Sequence, residues 1–205
     1  MPKCLIYTLF VFGSLNGSTQ ELFSGRLTYS IEYLNIPADM KGVEKQLPTK
    51  ISIVTDGSDW RSVQYTEING DYIQVYDSKA DSIFEMITIG PERVRVSNRT
   101  LKKVSLSNTK GKGQSQFQME TKIVDVKLES GENQSMIFLA DYMPIPSLFY
   151  HGLVGVPTSL EVENAGVIMR LSLSKIHEEP IDKTYFTLPD DYKWVDNSLY
   201  QSWLR

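Results

Sequence analysis

The two histidines are the side chains best suited to acid–base or metal chemistry, and each stands alone in the sequence. His151 lies in an apolar segment broken by prolines, and His177 ends an alternating run. A zinc site takes three or four ligands, so two separated histidines do not predict one. A hydrolase in which His151 acts with Asp141 or Glu163 is an alternative, although no recognisable constellation supports it.

Paired carboxylates, at Glu178–Glu179 and at Asp190–Asp191, are the other candidates. A glycosidase holds two carboxylates across a cleft, whereas neighbours on an extended chain point to opposite faces. The acidic segment 77–81 lacks the remaining ligands of a calcium loop. No nucleophile elbow, phosphate-binding glycine loop or zinc-protease motif is present. The sequence therefore predicts a protein that is not an enzyme and that needs no metal or cofactor.

Composition excludes further classes of function. The chain has 205 residues, is 41% hydrophobic and carries a net charge of -4, which is typical of one globular domain. Lysine and arginine are scattered along the chain, and no basic stripe suited to phosphates is visible. We therefore expect no nucleic-acid partner.

The first 19 residues have the pattern of a secretory leader. Lys3 precedes an apolar run from Cys4 to Phe12, and small and polar residues follow. The run is too short to span a bilayer, which takes about 20 apolar residues. Cys4 is the only cysteine and lacks the context of a lipidated one. These features predict a leader at 1–19 and one soluble, periplasmic or secreted domain at 20–205, free of disulfides.

Alternating apolar residues and turn signals predict a mainly β domain. Leu27, Tyr29, Ile31 and Tyr33 share one parity, and Asp56-Gly57 is a strong turn signal. Ten strands follow from this pattern: 27–33, 51–55, 60–66, 72–76, 82–89, 93–97, 117–128, 134–140, 159–163 and 167–176. The glycine- and lysine-rich stretch 105–115 predicts a mobile loop, and the apolar phase of 117–128 slips near Ile123, which suggests a bulge. We expect a curved antiparallel sheet forming an unclosed barrel.

One segment departs from the alternating pattern. Residues 139–163 read LADYMPIPSLFYHGLVGVPTSLEVE, a dense apolar run interrupted by three prolines and two glycines. Proline cannot donate to a β-ladder, so the run is expected to leave the sheet between Pro144 and Pro157. One or two short helices, at 144–152 and 197–204, or a loop plug would then lie on the concave side.

Three motifs resemble those of exported Bacteroidetes domains of unknown function, the GLPGLI-like family. They are HGLVGVPTSLEVE at 151–163, FSGRLTYSIEY at 23–33 and FTLPDDYKWV at 186–195, in the order expected for nearly the whole domain. The resemblance implies an architecture like that of LolA and LppX, whose unclosed barrels bind acyl chains on the concave side. It supplies no catalytic residue to carry over.

We therefore expect an exported, non-enzymatic binding protein that carries or senses a lipophilic ligand in a concave apolar groove. An envelope protein-interaction or structural module with a fully packed core is the alternative, suggested by eleven tyrosines and an open sheet edge. The partner is accordingly a lipid or other hydrophobic small molecule, or an envelope protein. The predicted ligand-binding residues are Tyr142, Met143, Ile145, Leu148, Phe149, Leu153, Val156, Tyr29, Ile31, Met169 and Leu171.

Overall fold

The computed structural model describes most of the domain. It covers residues 20–40, 42, 46–66, 70–89, 92–97, 104–128, 131–146, 148–153, 155–164, 166–196 and 198–199. The predicted leader at 1–19 lies outside the described residues, as does most of the helix predicted at 197–204, of which Ser198 and Leu199 are helical.

Twelve strands form one large curved sheet that does not close into a barrel, which confirms the predicted fold class. The strands are β1 Gly25–Asn35, β2 Lys50–Thr55, β3 Trp60–Thr66, β4 Gly70–Asp77, β5 Ser82–Ile89, β6 Glu92–Ser97, β7 Val104–Gln114, β8 Glu120–Leu128, β9 Asn133–Leu139, β10 Val156–Asn164, β11 Val167–Glu178 and β12 Lys193–Val195. The described part of the chain also contains two short 3-10 turns, Ala38–Met40 and Lys183–Phe186.

The sheet consists of two antiparallel meanders joined at β1. Its order is β12-β6-β5-β4-β3-β2-β1-β11-β10-β9-β8-β7, so β1 pairs with β2 on one side and with β11 on the other. Strand β12 is the exception, because it pairs parallel to β6. All ten predicted strands are present, and the two that were missed, β7 and β12, are the edge strands.

The loop predicted at 105–115 is wrong, because that stretch forms β7. Two register shifts against β8, between Leu106 and Asn108 and between Thr109 and Gly111, break its alternation and hide the strand period. The second shift lies opposite Ile123, whose own pairing with β9 is continuous. The irregularity expected near Ile123 is therefore in the facing strand, β7, and not in β8.

One face of the sheet, here called the inner face, carries the main apolar cluster. On β1 it presents Leu27 and Tyr29, which pair with Ile53 and Ile51 of β2. Leu27 and Tyr29 have no exposed surface, and the adjacent residues point the other way. This alternation is what the sequence pattern predicted.

The segment between β9 and β10, residues 140–155, covers the inner face and is called the hub. Its described part is irregular, so the helix predicted at 144–152 is wrong, whereas the loop plug is confirmed. Strand β10 begins at Val156, so Pro157 lies inside the sheet, contrary to the predicted exit. Proline is tolerated there because it stands at the strand start, beside a register shift against β9.

The opposite, outer face is covered by the chain between β11 and β12, residues 179–192, called the strap. Ile73 and Val75 of β4 and Met86 of β5 form a second buried cluster there. Phe186, Leu188 and Tyr192 of the strap pack against it. Both faces of the β-sheet are thus covered by segments without strands of their own.

Gly25 opens β1 with a φ of 152°, and a Cβ at this position would lie 2.1 Å from the carbonyl oxygen of His177. We predict that Gly25→Ala lowers the free energy of unfolding by about 2–4 kcal/mol, since backbone strain adds to the clash. Urea denaturation with an unchanged m-value measures this loss. Gly111→Ala is the control, because nothing lies within 4 Å of its Cβ position. Equal stability of the two variants would contradict the prediction.

Candidate functional site

Ten of the eleven predicted ligand-binding residues meet in one cluster between the hub and the sheet. Seven of them are at most 7% exposed: Tyr29, Tyr142, Ile145, Leu148, Leu153, Val156 and Leu171. Ile31, Phe149 and Met169 are partly buried and pack against these seven. Met143 is separate, with 42% of its surface exposed. The structure therefore brings the predicted set together with that one exception.

Buried aromatic side chains fasten the hub to the sheet by hydrogen bonds to backbone carbonyls. Trp60 Nε1 of β3 donates to Pro146 O of the hub at 2.8 Å. Just after the hub ends, the Tyr29 hydroxyl of β1 donates to Pro157 O of β10 at 2.7 Å. The Tyr150 hydroxyl donates to Glu161 O at 2.8 Å. Each bond satisfies the polar end of an otherwise apolar ring, which is how tyrosine and tryptophan are accommodated in protein interiors.

Backbone hydrogen bonds hold the two ends of the hub. Near its start, Glu21 N donates to Asp141 O at 2.9 Å, and Met143 N donates back to Glu21 O at 2.8 Å. Near its end, Val104 N donates to His151 O at 3.0 Å. The hub is thus attached to the residues just before β1 and to the edge strand β7.

Phe149 occupies a left-handed conformation, with φ of 62°, that most residues avoid. Its ring lies edge-on to Tyr29, with 5.3 Å between ring centroids and an interplanar angle of 84°. That contact and the packing of the ring compensate for the backbone strain. Phe149 is thus held against the inner face, where it is only partly buried.

Burial keeps the phenols of this region neutral. Desolvation raises the pKa of Tyr150 to about 12, and the nearby carboxylates of Glu163 and Glu161 add to this shift. Burial also raises the pKa of Tyr33 to about 12 and that of Tyr29 well above its usual range. A phenol that stays protonated at neutral pH is neither a base nor a nucleophile, so these tyrosines serve packing and hydrogen bonding.

The space under the centre of the hub is filled by its own side chains. A side chain facing a cavity large enough for water would show accessible surface there, and the seven buried residues show almost none. The accessible apolar part of the inner face lies beside the hub. Four of the partly buried apolar residues there, Ile31, Phe149, Val162 and Met169, are called the rim.

Strand pairing places the rim residues next to one another. Met169 of β11 is opposite Tyr33 of β1 on one side and opposite Val162 of β10 on the other. Ile31 lies two residues before Tyr33 on β1 and is opposite Leu171. Val162 was missed from the sequence, although its alternation with Leu160 places both on the inner face.

Gln134 of β9 adds a polar group to this region, and no sequence signal pointed to it. Its Nε2 donates to Glu161 O at 3.4 Å. Its Oε1 is buried and has no hydrogen-bond partner within the described part of the chain. A buried acceptor without a donor is unfavourable, so a ligand donor that displaced the packing over Oε1 would be stabilised here.

Chemistry elsewhere is weaker. Within the described ranges no group of three or more histidine, cysteine or acidic residues is placed to hold a metal ion. His177 Nε2 lies 3.7 Å from Glu179 on a largely exposed side chain. His151 is partly buried in the hub, while Asp141 and Glu163 are exposed. This placement gives no support to acid–base catalysis.

Lys110, Asp125 and Ser135 form a polar triangle on the outer face. Lys110 Nζ lies 2.8 Å from Asp125 Oδ1, and the Ser135 hydroxyl donates to the same oxygen at 2.7 Å. Both contacts hold the pKa of Asp125 below its usual range. Lys110 and Ser135 both donate to the Asp125 carboxylate, so they are not arranged as a base and the nucleophile that it activates. The triangle is an ion pair between strands.

Comparison with known proteins gives no match to any family model, curated protein or solved structure. Among the residues that the structure describes, no helix has the length and apolar character needed to cross a bilayer.

Tyr29→Phe tests the buried hydrogen bond that joins β1 to the start of β10, directly after the hub. Removal of the hydroxyl leaves the buried Pro157 carbonyl without this donor, so we expect a loss of about 1–3 kcal/mol in the free energy of unfolding. Urea denaturation measures it. Tyr33→Phe is the matched control, since its half-buried hydroxyl donates to Pro48 O near the surface and should contribute less. A larger loss for the control would refute this account.

The Asp125 triangle has a pH signature. Its carboxylate titrates lower in the folded chain than in the unfolded one, so its contribution to stability is complete above about pH 4–5 and is lost as pH falls through the lowered pKa. We predict that Lys110→Met moves the Asp125 pKa back upward in an NMR titration. Lys112→Met is the control, because Lys112 Nζ lies 3.9 Å from Glu120 Oε2 and pairs with that carboxylate. It should leave the Asp125 pKa unchanged. An unshifted Asp125 in the Lys110 variant would show that the ion pair does not form.

Proposed function

We propose that the protein is an exported, non-enzymatic binding protein that holds a lipophilic ligand on the inner face, at the rim. The observation that carries the proposal is the combination found there. Partly exposed apolar side chains, Ile31, Phe149, Val162 and Met169, lie on the same face as a buried glutamine oxygen that has no described hydrogen-bond partner. Such sites are mostly apolar with a few placed polar groups.

The chemistry of the site suggests the class of ligand. Apolar rim side chains favour an alkyl or acyl chain, and the flexible thioether of Met169 adapts to different shapes. Gln134 Oε1 is an acceptor, so the ligand should also carry a hydroxyl or an amide N–H. An apolar chain with one donor group, such as an acyl amide or a fatty alcohol, meets both requirements.

The expected affinity is moderate. Burial of a few hundred Å² of apolar surface at about 25 cal/mol per Å² contributes several kcal/mol before ordering costs are deducted. Before those costs are deducted, this free energy corresponds to a dissociation constant of roughly micromolar order. In this proposal the hub forms a fixed wall, because its backbone and aromatic hydrogen bonds hold it on the sheet.

The resemblance to GLPGLI-like domains and to the LolA and LppX architecture fits this proposal, since those barrels bind acyl chains on the concave side. Such an analogy supports a ligand class but no particular ligand, because related folds host unrelated functions. Family membership and export are part of the proposal.

The second candidate is an envelope module that binds a protein partner. Strand β7 is an open edge, but it carries Lys110 and Lys112 and two register shifts, features that discourage pairing with another strand. A partner would therefore be bound through side chains instead of through this edge.

Native mass spectrometry of the protein purified gently from its own host tests lipid binding. We expect an added mass that organic extraction removes, and uptake of a fluorescent fatty amide by the extracted protein. Met169→Trp should reduce this uptake at least tenfold by filling the rim. Tyr65→Trp is the control, since Tyr65 is 64% exposed on β3. A clean apo mass without uptake, or equal uptake by both variants, would refute the proposal.

A further inference from the structure

A row of arginine and aromatic side chains lies at the β5–β6–β12 end of the outer face. The Arg95 guanidinium stacks over the Trp194 ring at 4.2 Å, and Phe84 meets the same ring edge-on at 5.6 Å. Arg93 lies over the Tyr192 ring at 5.9 Å and bonds to the Asp191 carboxylate. Parallel pairing of β12 with β6 creates this row, because it sets Trp194 beside Arg95.

Arg95 differs from the other arginines that meet the strap. Arg26 bonds to Glu179 and to the Tyr185 hydroxyl, and Arg61 donates to Tyr185 O at 3.5 Å. Arg95 makes no hydrogen bond or ion pair within the described ranges, and its Nε is buried. Arg95 as a whole is partly exposed, so a guanidinium with five donors and no acceptor within the described chain is left to bind an anion.

Trp194 is exposed over 49% of its surface even though it stacks on Arg95. Tryptophan and arginine are the residues most enriched among those that dominate binding energy at protein interfaces. The ring also holds the guanidinium plane in one orientation, which suits the bidentate recognition of a carboxylate. The pair thus combines an accessible apolar surface with an unpaired, oriented cation.

We propose that Arg95 and Trp194 form a docking site for a carboxylate side chain on an acidic segment of a partner protein. Charge complementarity identifies this occupant, since one unpaired guanidinium matches one carboxylate. An anionic membrane surface fits less well, because membranes are bound by clusters of about four to eight lysine and arginine residues, whereas Arg93 beside this site is already bonded to Asp191.

Fluorescence titration with a labelled peptide of alternating glutamate and threonine tests the site. We expect saturable binding that weakens with salt, changes the Trp194 emission and is absent for the glutamine–threonine peptide. Arg95→Met should weaken binding at least tenfold, as expected when a charge-assisted hydrogen bond is lost. Arg95→Lys keeps the charge but not the planar donors, so it should restore only part of the affinity.

Lys112→Met is the charge control, because Lys112 is 79% exposed at the far edge of the sheet and the substitution also removes one cation. Thermal melting separates docking from a structural role. Arg95→Met should melt close to the native protein because no hydrogen bond of Arg95 is lost, whereas Arg26→Met should melt lower. Equal peptide binding by native protein and Arg95→Met, or binding of phosphatidylglycerol vesicles or inorganic phosphate without peptide binding, would overturn the proposal.

Discussion

The pairing of β1 with β11 is the contact on which the rest of the structure depends. It joins two meanders, β1 to β6 and β7 to β11, into one sheet. Through this pairing Leu27, Tyr29 and Ile31 face the same side as Ile176, Leu173 and Leu171. A register shift between Thr28 and Tyr29 keeps the two apolar sets in phase although β11 has one residue more. Without that shift, one strand would turn its apolar side chains outward.

The hub and the strap cover opposite faces of the sheet and are held there by different kinds of interaction. The hub is apolar and lies against the inner face, where the Trp60 indole donates to a hub carbonyl and the Tyr150 hydroxyl of the hub donates to β10. The strap is more polar and lies on the outer face, where Arg26 and Arg93 bond to its acidic residues and face its tyrosine rings. Desolvation makes the inner contacts the stronger ones, since exposed ion pairs contribute little. The strap is therefore the more loosely held of the two covers.

Local pattern predicted most of the strands, because alternation on one buried face is a property of each strand by itself. Strand β7 was missed since Lys110, Gly111 and Gly113 have low β-propensity and two register shifts interrupt the period. The prolines correctly indicated that the chain leaves the sheet near Pro144, but Pro157 is accommodated in β10 by its position at the strand start. Tertiary context decides such cases.

The candidate sites were only partly predictable. Hydrophobicity identified the hub cluster, but it could not tell side chains that fill the core from those at the rim, because both are apolar. The role proposed for Gln134 depends on its hydrogen bond to Glu161 O on β10. The role proposed for Arg95 depends on the parallel register of β12, which places Trp194 beside it. Both relations join residues far apart in the chain and leave no trace in either local sequence.

The central position of β1 also shapes how the chain folds. Gly25 pairs with Glu178, so the second edge of β1 stays unpaired until β11 has been made. Contacts of such high contact order form slowly, because a long loop must close before they contribute. During synthesis the amino-terminal meander is complete while β1 still has an open edge. Closure of the sheet at β1 therefore comes late, after β11 has been made.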